Sequence, residues 1–403
     1  MLELIKYSLK NIIGRKTRSL LTILSIFIGI AAIFIFASFG IGLYAYVESV
    51  AETSGLDKFM VQARGVGAPG LDDTFSLDSS DLRTVERTIG VAEATAWYVK
   101  SGQIEFRDTK KYVFLAGILP ERKDIALVEQ VMGVEVIEGK QLKKGDLGKV
   151  VLGYNYQIPD RIFPEPVQVR DRITINGERF EVIGFYAEVG NPSDDANVYL
   201  IEGDMKRLFG GDVGYGAIMG SVFDASEIDP VIARVEKNLR SNRDLEEGKE
   251  DFFVQSFADA IEMFKNVINI VVGFIFVIVI ISAVVASVNT ANTMVTSVLE
   301  RVREIGVMKA MGARNEAIRN IFLFESGFLG LVAGVLGVLV GWGISFIGGI
   351  ILDRLGWGFL SPVFYWWLHA FCIGIAVGVG AVSGMFPAVY ASRQKPVDAL
   401  RYE

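Results

Sequence analysis

The sequence predicts an integral membrane α-helical protein with four transmembrane helices, one before and three after a large extracytoplasmic domain of mixed α+β structure. Two observations lead to this fold class. The chain of 403 residues is 51% hydrophobic although 22% of its residues are charged, and the charged residues are missing from four long stretches. A helix needs about 20 apolar residues to cross the core of a bilayer, and each stretch is longer than that.

The four apolar stretches contain no Asp, Glu, Lys or Arg. They are residues 19–47, 266–299, 327–352 and 355–392. We predict transmembrane helices over residues 20–47, 266–293, 321–350 and 365–387. The first stretch has the basic start of a signal peptide, but it is longer than the apolar core of such a peptide, so we predict an uncleaved anchor.

The distribution of Lys and Arg predicts the orientation, because cytoplasmic loops carry the excess of these residues. Residues 1–18 and 300–319 contain five each, whereas residues 351–364 contain one. Both termini are therefore predicted to be cytoplasmic in a multi-pass protein of the cytoplasmic membrane. The remaining predicted regions are an amphipathic cytoplasmic segment (1–19), an extracytoplasmic domain (48–265), a cytoplasmic loop (294–320), a short outer loop (351–364) and a cytoplasmic tail (388–403).

The predicted extracytoplasmic domain has 26 Lys and Arg against 39 Asp and Glu, a net charge of −13, which argues against a nucleic acid as a partner. Strand and helix patterns in the order β-α-β occur near its start (57–119) and again near its end (216–256). The two units are predicted to pair into one split β-α-β sheet. The β-rich middle, about 112–215, is predicted to be an inserted second lobe, with a hairpin turn at Asn176-Gly177.

No arrangement of residues indicates catalysis or metal binding. The only His and the only Cys, His369 and Cys372, belong to the fourth span. Asp194 and Asp195 are adjacent, but no partner spacing supports a metal or acid–base site, so a solvated loop is the favoured interpretation. The chain has no GxxxxGK[ST] segment, and we do not expect it to hydrolyse ATP. We predict no catalytic residue, no metal and no directly bound cofactor.

Small residues form a row along the third span, and two GxxxG pairs occur in the fourth. In lipid, small residues let helix backbones approach closely. A tight intrachain helix pair is favoured, and a dimer interface stays open as the alternative. The residues predicted to pack helices are Gly327, Gly330, Gly334, Gly337, Gly341, Gly374, Gly378, Gly380 and Gly384.

The second span is longer than a bilayer requires, because its helical pattern runs from Ala258 to Leu299. Such a rod joins the last outer strand directly to the cytoplasmic loop and can transmit displacement across the membrane. No ionisable residue lies at the middle of any span, which argues against an ion-coupled transporter.

The segment ERVREIGVMKAMGARNEAIRNIFLFES (300–326) places five Lys/Arg and four Glu between two apolar spans. Val302, Ile305 and Met308 give it an apolar edge among charges, and Gly312 suits the end of a short helix. Apolar anchors ringed by charge are typical of a partner surface. The alternative is a basic loop that only satisfies the charge rule for orientation.

This segment resembles the FtsX/MacB-like permeases of ABC transporters, the type VII or mechanotransmission class. Their pattern R-x-x-E-I-G-[hydrophobic]-x-[KR]-A-[ML]-G-A begins here at Arg301 and ends at Ala313. Residues 10–32 are similar to the family's entry to its first helix, and residues 384–403 are similar to its carboxy-terminal ending.

The resemblance implies an outer domain of the MacB-core type, with a porter-like lobe and an inserted lobe. It also implies a dimer of permeases, with a second copy or a paralogue, bound to a dimer of ABC ATPases that holds ATP-Mg. A coupling helix within 300–319 would dock on the ATPase. Its expected coupling residues are Arg301, Val302, Glu304, Ile305, Gly306, Met308, Lys309, Met311, Gly312 and Ala313. Membrane lipid is a further expected partner, and an extracytoplasmic adaptor is left open.

The expected function is that of a permease subunit that converts ATP binding and hydrolysis by a separate ATPase into motion of its outer domain, so that a substrate is exported or released outside. Two alternatives stay open: a permease that extracts lipids or lipoproteins, and an FtsX-like signalling subunit that regulates extracytoplasmic enzymes.

Overall fold

The structure is a computed structural model that describes residues 16–64, 76–211 and 213–394. The chain divides into two compact units. Of the described residues, the helix unit comprises 16–43, 268–350 and 362–394, and the globular unit comprises 44–64, 76–211, 213–267 and 351–361. Most of the predicted segment 1–19 and the last nine residues of the predicted tail 388–403 lie outside the described residues.

The described helices are, in chain order, α1 (Lys16–Ser54), α2 (Ser79–Glu86), α3 (Arg122–Met132), α4 (Glu202–Phe209), α5 (Ile228–Asn242), α6 (Phe257–Glu300), α7 (Val302–Ala310), α8 (Asn315–Arg354) and α9 (Trp366–Ser392). The described strands are β1 (Lys58–Ala63), β2 (Val91–Phe106), β3 (Thr109–Ile118), β4 (Val136–Gly139), β5 (Lys149–Leu152), β6 (Arg172–Ile175), β7 (Glu178–Tyr186), β8 (Val198–Ile201), β9 (Ala217–Val222) and β10 (Phe252–Ser256).

Four of the described helices, α1, α6, α8 and α9, are long and apolar enough to cross a membrane, which confirms the predicted arrangement of one span before and three after the globular domain. Each of the four helices is longer than the roughly 20 residues that a bilayer core requires, and α6 has 44 residues. The helix α9 continues through Pro387 to Ser392, beyond the predicted end of the fourth span, and the position of that end in the membrane stays a prediction. Proline removes one backbone donor, but the following turn is held by the buried Ala388 and Ala391.

The helix unit has an apolar core to which all four long helices contribute. One cluster joins α1, α6, α8 and α9 through Phe34, Ala286, Ala333 and Ala376. A second cluster joins α6, α7, α8 and α9, and its fully buried members include Val298. Burial of these side chains inside the unit leaves the opposite sides of the helices apolar and exposed, as expected for helices that face lipid.

The described strands form one ten-stranded sheet. Nine of them follow the order β10-β1-β9-β2-β3-β8-β5-β7-β4, and β6 pairs with β2 and β7 off this path. The strands β10, β1, β9 and β2 pair antiparallel. The helices α2 and α5 contact each other beside these strands, and just after the end of α2 Asn238 of α5 donates to the hydroxyl of Thr88 at 2.9 Å. This half corresponds to the predicted split β-α-β layer.

The second half of the globular unit is a closed ring of strands. Strand β6 pairs with β7 and also with β2, at Ile104 and Glu105, so that β2, β3, β8, β5, β7 and β6 complete a circuit. The 16-residue strand β2 belongs to both halves, because its start pairs with β9 and its end pairs with β3. The predicted lobe boundary at 112 therefore falls inside β3, and the two lobes share a strand.

Local turn chemistry explains where several elements begin. The side chain of Asp78 accepts from the backbone N–H of Asp81, whose side chain accepts from the backbone N–H of Asp78, both at 3.0 Å. This capping box starts α2. Asn176 and Gly177 have φ values of 46° and 90°, the left-handed conformations that a two-residue hairpin between β6 and β7 requires. The sequence analysis missed α3, α4 and β4, which lie in the segment predicted to be β-rich.

Candidate functional site

The charged segment between α6 and α8 folds as the short helix α7. The helix α6 ends at Glu300, and Arg301 is the N-cap residue of α7, with φ −112° and ψ 14°. One residue therefore separates the long helix from the short one. The direction of α7 depends on how this residue is held.

The other end of α7 is closed by Gly312, whose φ is +94°. The N–H of Gly312 donates to the carbonyl of Lys309 at 3.0 Å, and the N–H of Ala313 donates to the carbonyl of Met308 at 3.0 Å. These two bonds form a Schellman motif, in which glycine takes the left-handed position at little cost. Gly312 thus ends α7, as its position in the sequence predicted.

One side of α7 is buried against the rest of the helix unit. Val302 is 6% exposed and Ile305 is fully buried, and Gly306 is buried with them. Ile305 packs in the cluster shared with α6, α8 and α9. The predicted apolar edge therefore packs inside the chain at Val302 and Ile305, and its contact with an ATPase stays a prediction. Val302 and Ile305 anchor α7 to its own bundle, because their side chains are already removed from water, and Met308 is half-buried.

The opposite side of α7 is exposed and combines one basic with two apolar residues. We call it the outward face, and it consists of Arg303, Val307 and the C-cap residue Met311. Val307 is 44% exposed and Met311 is 77% exposed. Their spacing of four and four residues places them along one side of a helix. Val307 is not among the predicted coupling residues, although a helical wheel puts it opposite Ile305.

The other predicted coupling residues make contacts inside the chain. The ammonium group of Lys309 donates to the backbone carbonyl of Gln394 at 2.6 Å. Ala313 packs against the buried cluster of α7. Glu304 has a mostly exposed side chain and forms an ion pair with Arg301 at 3.1 Å. Their predicted contact with an ATPase stays a prediction.

Arg301 is the most buried basic side chain of the segment, with an exposed fraction of 3%. Its Nη1 donates to Oε2 of Glu325 in α8 at 3.1 Å, and its Nε donates to Oε2 of Glu304 at 3.1 Å. The guanidinium carbon lies 5.3 Å from the centre of the Phe322 ring, within the range of a cation–π contact. Arg301 therefore joins the start of α7 to the third turn of α8.

The glycine row of α8 packs against two helices of the same chain. A methyl group at Gly330 would strike the carbonyl oxygen of Ala376 in α9, and one at Gly334 would lie 2.7 Å from the Ala376 side chain. Further along, a methyl group at Gly337 would lie 3.0 Å from Ile30 in α1, and one at Gly341 would lie 3.0 Å from the carbonyl oxygen of Ala31. The glycine row thus lets α8 approach α9 closely at one end and α1 closely at the other.

The glycines of α9 behave in two ways. A methyl group at Gly380 would lie 2.5 Å from the carbonyl oxygen of Ser326, and one at Gly384 would strike the Ser326 side chain. At Gly374, Gly378 and, in α8, Gly327, no described atom lies within 4 Å of that position. A dimer interface at these open positions stays a prediction.

The helices α1 and α6 are in contact at three levels of the helix unit. Asn289 donates to the hydroxyl of Ser25 at 2.6 Å. Methyl groups at Gly29 and Gly40 would meet Ser282 and Val272 at 3.8 and 3.9 Å, which is ordinary van der Waals contact. The two helices therefore pack together over about four turns.

The connection between α8 and α9 belongs to the globular unit. The N–H of Phe359 donates to the carbonyl of Gly190 at 3.0 Å. Nη2 of Arg161 donates to the carbonyl of Asp353 at 2.7 Å, and its Nη1 donates to Asn155 at 2.7 Å. The sequence analysis missed this attachment, because its partners are far apart in the chain.

Asp195 shapes the loop that receives this connection. It is 1% exposed, and its two carboxylate oxygens accept from the backbone N–H groups of Val189 and Gly190 at 2.8 and 2.9 Å. Burial raises the pKa of Asp195 from 3.8 to about 6, although the two amide donors lower it. The prediction of a solvated loop is therefore wrong for Asp195, which has a structural role. No group of metal-ligating side chains occurs among the described residues.

Family models match both parts of this architecture. The MacB-like periplasmic core domain matches residues 19–238, and the FtsX-like permease C-terminal domain matches residues 276–396. The chain belongs to the MacB/FtsX-like family of ABC transporter permeases. The resemblance noted in the sequence is thus confirmed, and with it a membrane-spanning permease that has a periplasmic-type core domain.

Similar proteins cover the whole of this permease. An uncharacterized ABC transporter permease of Methanocaldococcus jannaschii is 28% identical over 402 residues, which is 100% of this chain and 98% of that protein. A macrolide export ATP-binding/permease protein, MacB, of Bdellovibrio bacteriovorus is 27% identical over 416 residues, but this chain spans only 62% of its length. The crystal structure of the periplasmic region of MacB from Actinobacillus actinomycetemcomitans aligns with 52% of this chain and 93% of its own, with 18% identity and a TM-score of 0.42.

Proposed function

We propose that this permease couples ATP binding and hydrolysis by a separate partner ATPase to movement of its extracytoplasmic domain, and so drives export or release of a substrate on the outer side. In this proposal both termini and α7 are cytoplasmic, in the cytoplasmic membrane. The ATPase dimer holds ATP-Mg, and the permease acts with a second copy or a paralogue. An adaptor outside the membrane stays open as a further partner.

The outward face of α7 is the observation that carries the proposal. Two exposed apolar side chains, Val307 and Met311, follow the basic Arg303 along a helix whose other side is fixed in the bundle. Exposed apolar anchors flanked by charge suit a protein partner. A helix with one buried side also presents that surface at low cost in conformational entropy, which favours binding.

The continuity of α6 supports the transmission step. This helix begins at Phe257, directly after β10, and ends at Glu300, one residue before α7. A displacement of α7 is therefore passed through one uninterrupted helix to an edge strand of the globular sheet. The contact of α1 with α6 favours export or release over lipid extraction, which requires a cleft between these two helices.

Site-specific photocrosslinking in native membranes tests the proposal. A benzoylphenylalanine in place of Val307 or Met311 is expected to capture a protein that contains a GxxxxGK[ST] segment. The matched control is the same group in place of Leu355, which is 62% exposed in the other connection and is expected to capture none. The absence of such an adduct at both test positions, or an equal yield at 355, overturns the docking role. Capture of a cell-wall hydrolase by the globular unit without ATP favours the signalling alternative.

A further inference from the structure

A buried charge cluster lies at the base of α7, away from its outward face. Arg301 is 3% exposed and Glu325 is 6% exposed, although both are ionisable and lie near the end of a membrane-spanning unit. Burial of two charges is unfavourable unless their geometry is good and their remaining hydrogen-bonding groups are satisfied. The cluster therefore needs an account beyond its contribution to stability.

The cluster determines how α7 leaves the end of α6. Arg301 is the one residue between the two helices, and its guanidinium contacts Glu304 in the first turn of α7 and Glu325 in α8, each at 3.1 Å. Phe322 lies one turn before Glu325 and supports the guanidinium with its ring. Three contacts around the planar guanidinium fix its orientation, whereas a single contact would fix only one distance.

We propose that Arg301 is a positioning residue that sets the direction of the outward face of α7 through Glu325 and does not itself contact the ATPase. This inference deepens the proposed function, on which its consequence for docking rests. In this proposal Arg301 orients the residues that contact the ATPase and is not one of those residues. The outward residues Arg303, Val307 and Met311 make the contact.

The chemistry of the cluster requires arginine and not lysine. A guanidinium offers a planar fork of donors that can bond two carboxylates at once and stack on an aromatic ring. The lysine ammonium is a compact charge that can pair with Glu325 or with Glu304 but lacks the fork. Lysine at 301 is therefore expected to keep the charge balance and to lose part of the orientation.

Distances between two spin labels in the full-length permease test the positioning directly. The labels replace Met311, the C-cap residue of α7, and Tyr390 in α9, both exposed, in a Cys372→Ser background that removes the one native thiol. The unaltered cluster is expected to give one narrow distance distribution. We expect the distribution to widen least in Glu325→Gln, more in Arg301→Lys and most in Arg301→Met. In Arg301→Met the width is expected to increase roughly twofold.

Two further variants separate positioning from stability and from contact. The double change Arg301→Met with Glu325→Met replaces the ion pair by apolar side chains, which often preserves folding, and it is expected to keep the wide distribution. Arg303→Met removes a charge from the outward face and is expected to leave the distribution narrow. A narrow distribution in Arg301→Met, or in the double variant should Arg301→Met not fold, overturns the proposal.

Photocrosslinking from position 307 distinguishes this proposal from the docking role. Glu325→Gln and Arg303→Met are both expected to lower the yield of the ATPase adduct, by roughly tenfold for a loss of one decade in affinity. Only Glu325→Gln is expected to widen the distance distribution as well. If the parent protein captures no ATPase, the docking role fails whatever the distances show. If Glu325→Gln retains both the parental yield and the parental width, the positioning role fails.

Discussion

The two connections between the last three long helices are each held by an arginine, but in different ways. Arg301 joins α7 to α8 through side-chain carboxylates, inside the helix unit. Arg161 reaches the connection between α8 and α9 through a backbone carbonyl, that of Asp353, inside the globular unit. The first contact orients a helix that presents a surface. The second attaches a connection to the domain that the proposal expects to move.

The chemical difference between the two contacts predicts a difference in energy. A buried ion pair leaves an uncompensated charge when one partner is removed, whereas a lost hydrogen bond to a backbone carbonyl costs less because water can replace part of it. The comparison therefore predicts that the connection at α7 is the more sensitive of the two to single substitutions.

The largest effect is expected for Arg301→Ala. This change removes the guanidinium from the buried Glu325 carboxylate, and the expected loss is about 3–5 kcal/mol of unfolding free energy. Reversible unfolding of the helix unit in mixed detergent micelles measures it. Arg303→Ala is the control on the exposed side of α7, with an expected change within about 0.5 kcal/mol. If Arg301→Ala lowers the unfolding free energy no more than the control does, the ion pair between Arg301 and Glu325 does not hold α7 in place.

A smaller effect is expected for Arg161→Ala, which removes the bonds to Asp353 and Asn155 and the ion pair with the partly exposed Glu188 at 3.5 Å. The expected loss is about 1–3 kcal/mol, because both bonds use a charged donor. Hydrogen exchange at the amide of Phe359 measures it locally, and the exchange rate is expected to rise. Arg354→Ala, at an exposed position of the same connection, is the control. If the exchange rate at Phe359 is unchanged in Arg161→Ala, Arg161 does not hold the connection to the globular unit.

Each connection also contains a glycine with positive φ, Gly312 at +94° and Gly356 at +81°. Alanine at either position is expected to cost about 1 kcal/mol, because a Cβ atom is strained in this conformation. Gly374→Ala is the control, since it lies within a helix where no described atom contacts the added methyl group, and helix propensity favours alanine there. Thermal unfolding measures the three variants. Stabilisation by Gly312→Ala is incompatible with the observed end of α7.

The smallest effect concerns the pH dependence of the loop that receives the second connection. Burial raises the pKa of Asp195 from 3.8 to about 6, so the protonated form is favoured in the folded state. Its contribution to stability is fully present below pH 3.8 and is lost as the pH rises through 6. Between pH 6 and 7.5 the expected loss is about 0.4 kcal/mol. Asp195→Asn is expected to remove this decrease of the unfolding free energy with pH, measured on the globular unit. An unfolding free energy that instead rises over this pH range in the parent protein contradicts the raised pKa of Asp195.

The sequence predicted those features that depend on local patterns. Four apolar runs are enough to place α1, α6, α8 and α9, and the left-handed requirement at Gly312 is visible from its position after an apolar edge. The hairpin at Asn176-Gly177 follows from turn chemistry in the same way. Each of these features requires only residues within a few positions of one another.

The features that the sequence did not predict depend on contacts between distant residues. Arg301 and Glu325 are 24 residues apart, and only the packing of α7 on α8 shows that both are buried. The burial of Val302 and Ile305 against the other helices was not predicted for the same reason. An amphipathic pattern shows that one side of a helix is apolar, but it does not show whether a partner or the chain itself covers that side.

Co-purification of the ATPase with variants of the two sides of α7 tests the central claim most directly. The double change Val307→Asp with Met311→Asp places charge on the outward face without entering the bundle. The account predicts that this variant, purified with a folded globular unit, loses the ATPase, and that Leu355→Asp in the other connection retains it. Retention of the ATPase by the double variant at the parental level would contradict the account.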